Sequence, residues 1–192
     1  MPKLSTQAYI TATVQATALS ALSWLLAQII VFVRENGTKQ IDYPMLWRFA
    51  LYTALTTPPN LSFQGYLEDC FPSTTVRKRS AKSKGNGEKK TEDVDVVELD
   101  ATNTLAKFVL DQTVSASVNT AMFIAVMGLL QAKAWEDVHG DVMKNFWPQL
   151  AAGYSFWPFV TLFNFTVVPF KHRALVGSFA GLLWGVFLSL MY

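Results

Sequence analysis

Asp111 and Gln112 stand together at the start of an otherwise uncharged stretch of chain, Gln112–Ala132. A carboxyl and an amide placed there supply a proton-binding group and a donor–acceptor pair. Lys107 lies four residues earlier, one helical turn, where it can neutralise Asp111. Ser115, Ser117, Asn119 and Thr120 carry the polar character onward. Polar groups are costly in an apolar helix, so they either line water or hydrogen-bond to neighbouring helices. Asp111 is also close to the end of the stretch, where a solvated end charge or helix cap is the competing reading. Little other chemistry is on offer. The chain has no HExxH, CxxC, GxSxG, P-loop or dinucleotide glycine fingerprint. Cys70 is its single cysteine, and His139 and His172 lie far apart. No catalytic set, metal site or cofactor site is expected, and the chain is not expected to be an enzyme.

The elements that must position these groups are long and apolar. The chain of 192 residues is 51% hydrophobic and 16% charged, against about 25% charged in soluble domains. Five stretches contain no Asp, Glu, Lys or Arg: Leu4–Val33, Phe49–Leu67, Gln112–Ala132, Asn145–Phe170 and Ala174–Tyr192. A helix needs about 20 apolar residues to cross about 30 Å of hydrocarbon. All five stretches qualify by length, and the alternation of a membrane barrel is absent. The sequence therefore predicts an all-α integral membrane protein, a bundle of four to five hydrophobic helices forming a single domain over 1–192. Thr57-Pro58-Pro59-Asn60 is expected to break or kink the second helix. The fourth stretch carries Pro148, Pro158 and Pro169, which leaves a kinked span, a re-entrant element and an interfacial helix all open. Trp47, Trp135, Trp147 and Tyr192 sit near the ends of stretches, as in membrane-interface belts. The first stretch is longer than a signal-peptide core and has no Arg, which favours a retained span over a cleaved leader or a mitochondrial presequence. If all five stretches cross, the basic residues place the N-terminus and the 68–107 segment on the cytosolic side.

Charge is concentrated in one insertion. Positions 73–100 hold 7 basic and 6 acidic side chains, basic first and acidic second, divided by Gly85-Asn86-Gly87. So little apolar surface predicts a disordered charged loop at about 73–103. It reads as a solvated linker that sets topology, a contact for acidic lipid, or a targeting signal for an import receptor for membrane proteins. The last stretch carries Gly177, Gly181, Gly185 and Ser189 on one helix face. Small residues let helices approach closely, either inside the monomer or between copies in a homo-oligomer. Ala8, Ala12, Ala16 and Ser20 form a similar face on the first stretch.

The C-terminal third carries Trp157-Pro158, Asn164-Phe165, Val168-Pro169, Arg173, Trp184 and Phe187-Leu188-Ser189 at defined spacing. This set resembles the signature of the Mpv-seventeen and 22-kDa peroxisomal membrane protein family. Lys107 followed by Asp111-Gln112 resembles the family's Asp-Gln at the third helix, Gln28 resembles its helix-one glutamine, and 58–72 resembles the loop after the second helix. Only residues 73–103 fall outside the likeness. Three positions depart from the pattern. The helix-one Gly-Asp is Ser23-Trp24 here, a Gln between the Trp-Pro and the Asn-Phe is Thr161, and the Asn after the late Trp is Gly185. If those groups line a pathway in relatives, the departures imply a narrower or less polar one here.

The resemblance implies four spans, the mitochondrial inner membrane or the peroxisomal membrane, and a part in organelle homeostasis, mitochondrial DNA maintenance or small-solute permeability. The basic insertion and the poor presequence tilt the expectation toward the peroxisomal membrane. Two functions follow. One is a passive small-solute channel in which Asp111, Gln112, Asn119 and Thr120 converge with Asn164. The other is a structural or adaptor protein that recruits partners or acidic lipid through 73–100. Within the family motif, Pro158 and Pro169 are expected to kink or end helices. Trp157 and Trp184 are expected to anchor at an interface or pack on the glycine face. Arg173 is expected to hold a lipid phosphate or a carboxylate such as Asp111. The lipid bilayer is the expected partner, and nucleic acid is not.

Overall fold

The structure, a computed structural model, describes residues 5–37, 43–82 and 91–191, and their side chains except those of 77–97 and 188–191. Lys3, Asp42, the Gly85-Asn86-Gly87 divider, Tyr192 and the Ser189 side chain lie outside the described residues.

The first uncharged stretch forms α1 (Thr6–Arg34). Ser5 caps it by accepting from the Ala8 N–H at 3.2 Å, and Asn36 and Gly37 end it in left-handed conformations. The second forms α2 (Tyr43–Cys70), which runs unbroken through Pro58 and Pro59, contrary to the expected break. The two prolines remove two donors. In the surrounding turns the hydroxyls of Thr53, Thr56, Thr57 and Ser62 donate to carbonyls four residues back, at 2.7–3.0 Å. These bonds lie on the turns flanking the prolines and do not reach the Ala54 and Leu55 carbonyls that the prolines leave without amides.

The charged insertion is not wholly loop. Two strands, β1 (Thr74–Lys82) and β2 (Thr91–Leu99), pair antiparallel from Thr74 opposite Leu99 to Lys82 opposite Thr91. The expected disorder at 73–103 is thereby corrected over these strands and over the helix that follows. The basic half and the acidic half become partners, with Lys78 opposite Asp95, and Val94, Val96 and Val97 favour the extended state. The Asp100 N–H donates to the Ser73 carbonyl at 2.9 Å and closes the base of the hairpin.

Asp100 then caps α3 (Ala101–Leu110), accepting from the Asn103 N–H at 2.9 Å. A π-helical turn (Asp111–Ser115) joins α3 to α4 (Ala116–Leu130) in one rod of 30 residues. This rod and α1 are the two helices among the described residues that are long and apolar enough to cross a membrane. After a turn through Ala132, which has a φ of 57°, α5 (Trp135–Tyr154) comes back along α4. Gly128 lies against Val138 near the turn, and Tyr154 reaches Gln112 at the far end. A break at Ser155-Phe156 precedes α6 (Trp157–Thr166), with Pro158 in its first turn. Pro169 precedes α7 (Phe170–Met191). The proline-rich fourth stretch is thus the end of α5, the whole of α6 and the connection to α7. Together α5 and α6 make one interrupted pass antiparallel to α3–α4.

Tyr9 meets Ser62 and Ser20 meets Thr53, so α1 and α2 are antiparallel too. With α7, the chain makes five passes through the bundle. The glycine face of α7 divides. At Gly185 an added methyl would collide with Ser23 Oγ of α1, whose hydroxyl donates to the Leu182 carbonyl at 3.0 Å. Gly177 and Gly181 meet nothing within 4 Å. Trp157 and Trp184 do not pack on this face. They meet each other at 6.2 Å between ring centroids, with Phe156 stacked on Trp184 at 5.6 Å.

Candidate functional site: a buried polar seam

Helical periodicity places residues four apart above one another. Three elements use that spacing at the same place in the bundle: Gln64 and Glu68 on α2, Lys107 and Asp111 on α3 and the π-turn, and Thr161 and Phe165 on α6. With Arg173 from α7 they build two polar rungs.

The first rung centres on Glu68. Its Oε2 accepts from Lys107 Nζ at 2.7 Å, Arg173 Nη1 at 2.6 Å and the Ser73 hydroxyl at 3.0 Å, and its Oε1 accepts from the Ser73 N–H at 2.8 Å. Ser73 Oγ in turn accepts from Lys107 and from Arg173 Nη2. Arg173 Nε donates to the Asn164 and Val168 carbonyls at the α6–α7 junction. The Phe165 ring sits against both cations, 5.2 Å from Lys107 Nζ and 5.2 Å from the Arg173 guanidinium. Lys107 is fully buried, and Arg173 and Ser73 are nearly so. Glu68 follows the last residue of the uncharged stretch Phe49–Leu67 and lies outside it. Burial pushes its carboxyl up. The hydrogen bonds from Lys107, Ser73 and Arg173 outweigh that and hold it down at about 2.

The second rung centres on Asp111. Gln64 Nε2 donates to its Oδ1 at 3.1 Å, and Gln112 Nε2 and the Thr161 hydroxyl donate to its Oδ2 at 3.1 and 3.0 Å. Gln112 Nε2 also donates to Thr161 Oγ1 at 3.1 Å. A π-turn leaves a backbone carbonyl without its usual amide, and here the Tyr154 hydroxyl donates to the Gln112 carbonyl at 2.8 Å. Asp111, Gln112 and Thr161 are each more than nine-tenths buried. Four buried side-chain atoms around the rungs have no hydrogen-bond partner: Thr104 Oγ1, Gln112 Oε1, Ser115 Oγ and Asn164 Oδ1.

Several sequence expectations change. Lys107 serves Glu68, not Asp111. Side chains lean toward the N-terminus of their helix, which carries the Lys107 ammonium away from a residue four places later. Arg173 likewise holds Glu68 rather than Asp111. Among the described residues no contact joins Asn119 to Asn164: α6 runs antiparallel to α3–α4, so Asn164 lies beside the Glu68 rung with Arg173, whereas Asn119 lies eight residues beyond Asp111 in the opposite direction. Gln28, half-buried on α1, joins neither rung. Asp111, Gln112, Phe165 and Arg173 do come together, and Asn164 contributes its carbonyl. Gln64, Glu68, Ser73 and Tyr154 were not anticipated, although Gln64 and Glu68 repeat the spacing of Lys107 and Asp111. Thr161, a departure from the family pattern, is a full member of the second rung.

Residues 128–189, covering α5 to α7 nearly to its end, match the model of the Mpv17 / PMP22 family. Over this C-terminal third the chain is similar to the Mpv17 / PMP22 family. It is 35% identical over 85 residues to Protein SYM1 of Yarrowia lipolytica, covering 44% of this chain and 42% of that protein. It is 37% identical over 84 residues to the Mpv17-like protein of Bos taurus, covering 44% and 42%. It is 33% identical over 94 residues to Protein sym1 of Schizosaccharomyces pombe, covering 49% and 46%. Each match thus spans less than half the length of the relative. No solved structure matches. With α1 and the α3–α4 rod each long and apolar enough to cross a membrane, the chain is an all-α membrane protein. The family match takes in Thr161, Asn164, Phe165 and Arg173, while Gln64, Glu68, Lys107, Asp111 and Gln112 lie before it.

Proposed function

We propose that this protein, similar to the Mpv17 / PMP22 family over its C-terminal third, is a passive channel for small polar solutes, with the route along the polar seam between α2, the π-turn and α6. The observation that carries the reading is the seam itself: charged and polar side chains buried in an apolar bundle, with four unpartnered polar atoms beside them. Buried polar atoms without protein partners are the places where water enters. Thr104, Lys107, Asp111 and Ser115 lie along one helix over 11 residues, about 17 Å of rise. No energy-coupling motif accompanies them, so lining polarity and width set selectivity. We assign the protein to the peroxisomal membrane, with the mitochondrial inner membrane the second choice and organelle homeostasis the process served.

The test is a cysteine scan in a Cys70→Ser background. Thr104→Cys, Ser115→Cys and Asn164→Cys should react with small charged thiol reagents in reconstituted vesicles, while Leu150→Cys, buried in apolar surroundings, should not. Equal protection of all four positions would refute an aqueous route.

A further inference from the structure

We propose that Asp111, Gln112, Ser115 and Thr161 form a binding site for one dehydrated alkali cation, sodium or potassium. This deepens the channel reading by naming the solute class. Asp111 is a buried carboxylate whose direct partners are all neutral: Gln64, Gln112 and Thr161. The basic groups able to approach it, Lys107 and Arg173, are engaged with Glu68 and Ser73. Beside the carboxylate, Gln112 Oε1 is buried without any donor and the Ser115 hydroxyl faces Asp111, and both belong to the same π-turn. Thr161 adds a hydroxyl oxygen from the facing helix.

The donor set is therefore all oxygen, with one formal charge. Oxygen ligands select hard cations and disfavour the softer transition metals. A single carboxylate suits a monovalent ion, whereas calcium takes 6–8 oxygens with several carboxylates. The backbone fits as well. The rod is interrupted at Asp111–Ser115 and its antiparallel neighbour at Ser155-Phe156, close to the same level, with Tyr154 tying the two together. Paired helix interruptions inside membranes are where ions are held. Entry of the cation turns the Gln112 side-chain amide so that Oε1 replaces Nε2 toward Asp111. The first rung holds two cations against one carboxylate, and its surplus positive charge keeps the affinity low, as passage requires.

The experiment is thermal unfolding of the full-length protein in detergent, with sodium or potassium chloride exchanged for choline chloride at constant ionic strength. A bound ion stabilises the folded state saturably. The wild type should show a saturable rise with sodium or potassium that choline does not reproduce. Ser115→Ala should raise the half-saturating concentration about tenfold, the effect of losing about 1.4 kcal/mol of binding. Asp111→Asn should abolish the rise, and Asp137→Asn on exposed α5 should retain it. Absence of a saturable rise in the wild type, or identical curves for wild type and Ser115→Ala, would overturn the site, as would stabilisation that follows pH alone. If Asp111→Asn does not fold, the wild-type curve and Ser115→Ala decide. Binding is read here without flux. Cation-independent stability in a protein that conducts would sink the site and leave the channel, and binding by a silent protein would do the reverse.

Discussion

Replacing Glu68 by Gln keeps the shape of the side chain and removes one charge. The structure makes that a severe change. Glu68 accepts four hydrogen bonds, three of them on Oε2, from Lys107, Arg173 and Ser73. An amide can present its oxygen to those three donors only by turning its NH2 toward the Ser73 N–H, donor against donor. Lys107, with no exposed surface, and Arg173, 8% exposed, then remain as two buried cations without a counter-charge. Removing one partner of a buried ion pair costs about 3–5 kcal/mol, and the loss for Glu68→Gln is expected in that range. Reversible denaturant unfolding in micelles, followed by tryptophan fluorescence, reads it directly. The double variant Glu68→Gln with Lys107→Met should be less damaged than the sum of the singles by more than about 1 kcal/mol, because it removes a stranded charge. A single-variant loss below about 1 kcal/mol, or strict additivity, would refute the rung as an energetic unit.

Three further outcomes follow from particular contacts. Glu68 titrates lower in the folded state than its ordinary 4.5, so its stabilising contribution is complete above that value and is lost as pH falls toward about 2. Stability measured between those limits should decline less steeply with acid in Glu68→Gln than in the wild type. Gly185→Ala should cost about 1–3 kcal/mol by forcing a methyl into Ser23 Oγ. Ser23→Ala should suppress part of it in thermal unfolding, since the new methyl then lies 3.5 Å from the Ser23 Cβ position, an ordinary contact. Tyr154→Phe strands the Gln112 carbonyl in the π-turn and should cost about 1–3 kcal/mol, with faster amide exchange expected around 111–116.

Much of the fold was legible because its signals are local. The uncharged stretches Leu4–Val33 and Gln112–Ala132 fall on α1 and on the later part of the 101–130 rod. Pro58 and Pro59 do not break α2, which runs on through both. The hairpin was hidden because composition treats each charged half alone, whereas pairing sets one half against the other. The seam was half legible. Asp111-Gln112, Phe165 and Arg173 stood out by type and by family likeness. Glu68 did not, because its partners lie 39 and 105 residues away and no periodicity spans such distances. The π-turn has no sequence signature here, and the antiparallel course of α6, which carries Asn164 away from Asn119, shows only in three dimensions.

The central claim is that the buried seam around Asp111 is the route by which small solutes pass. Conductance of the purified full-length protein in a planar bilayer tests it most directly. Discrete steps are predicted for the wild type, with altered amplitude in Asp111→Asn and unaltered amplitude in Asp137→Asn. A silent bilayer containing folded protein, or steps identical in the wild type and Asp111→Asn, would contradict the claim.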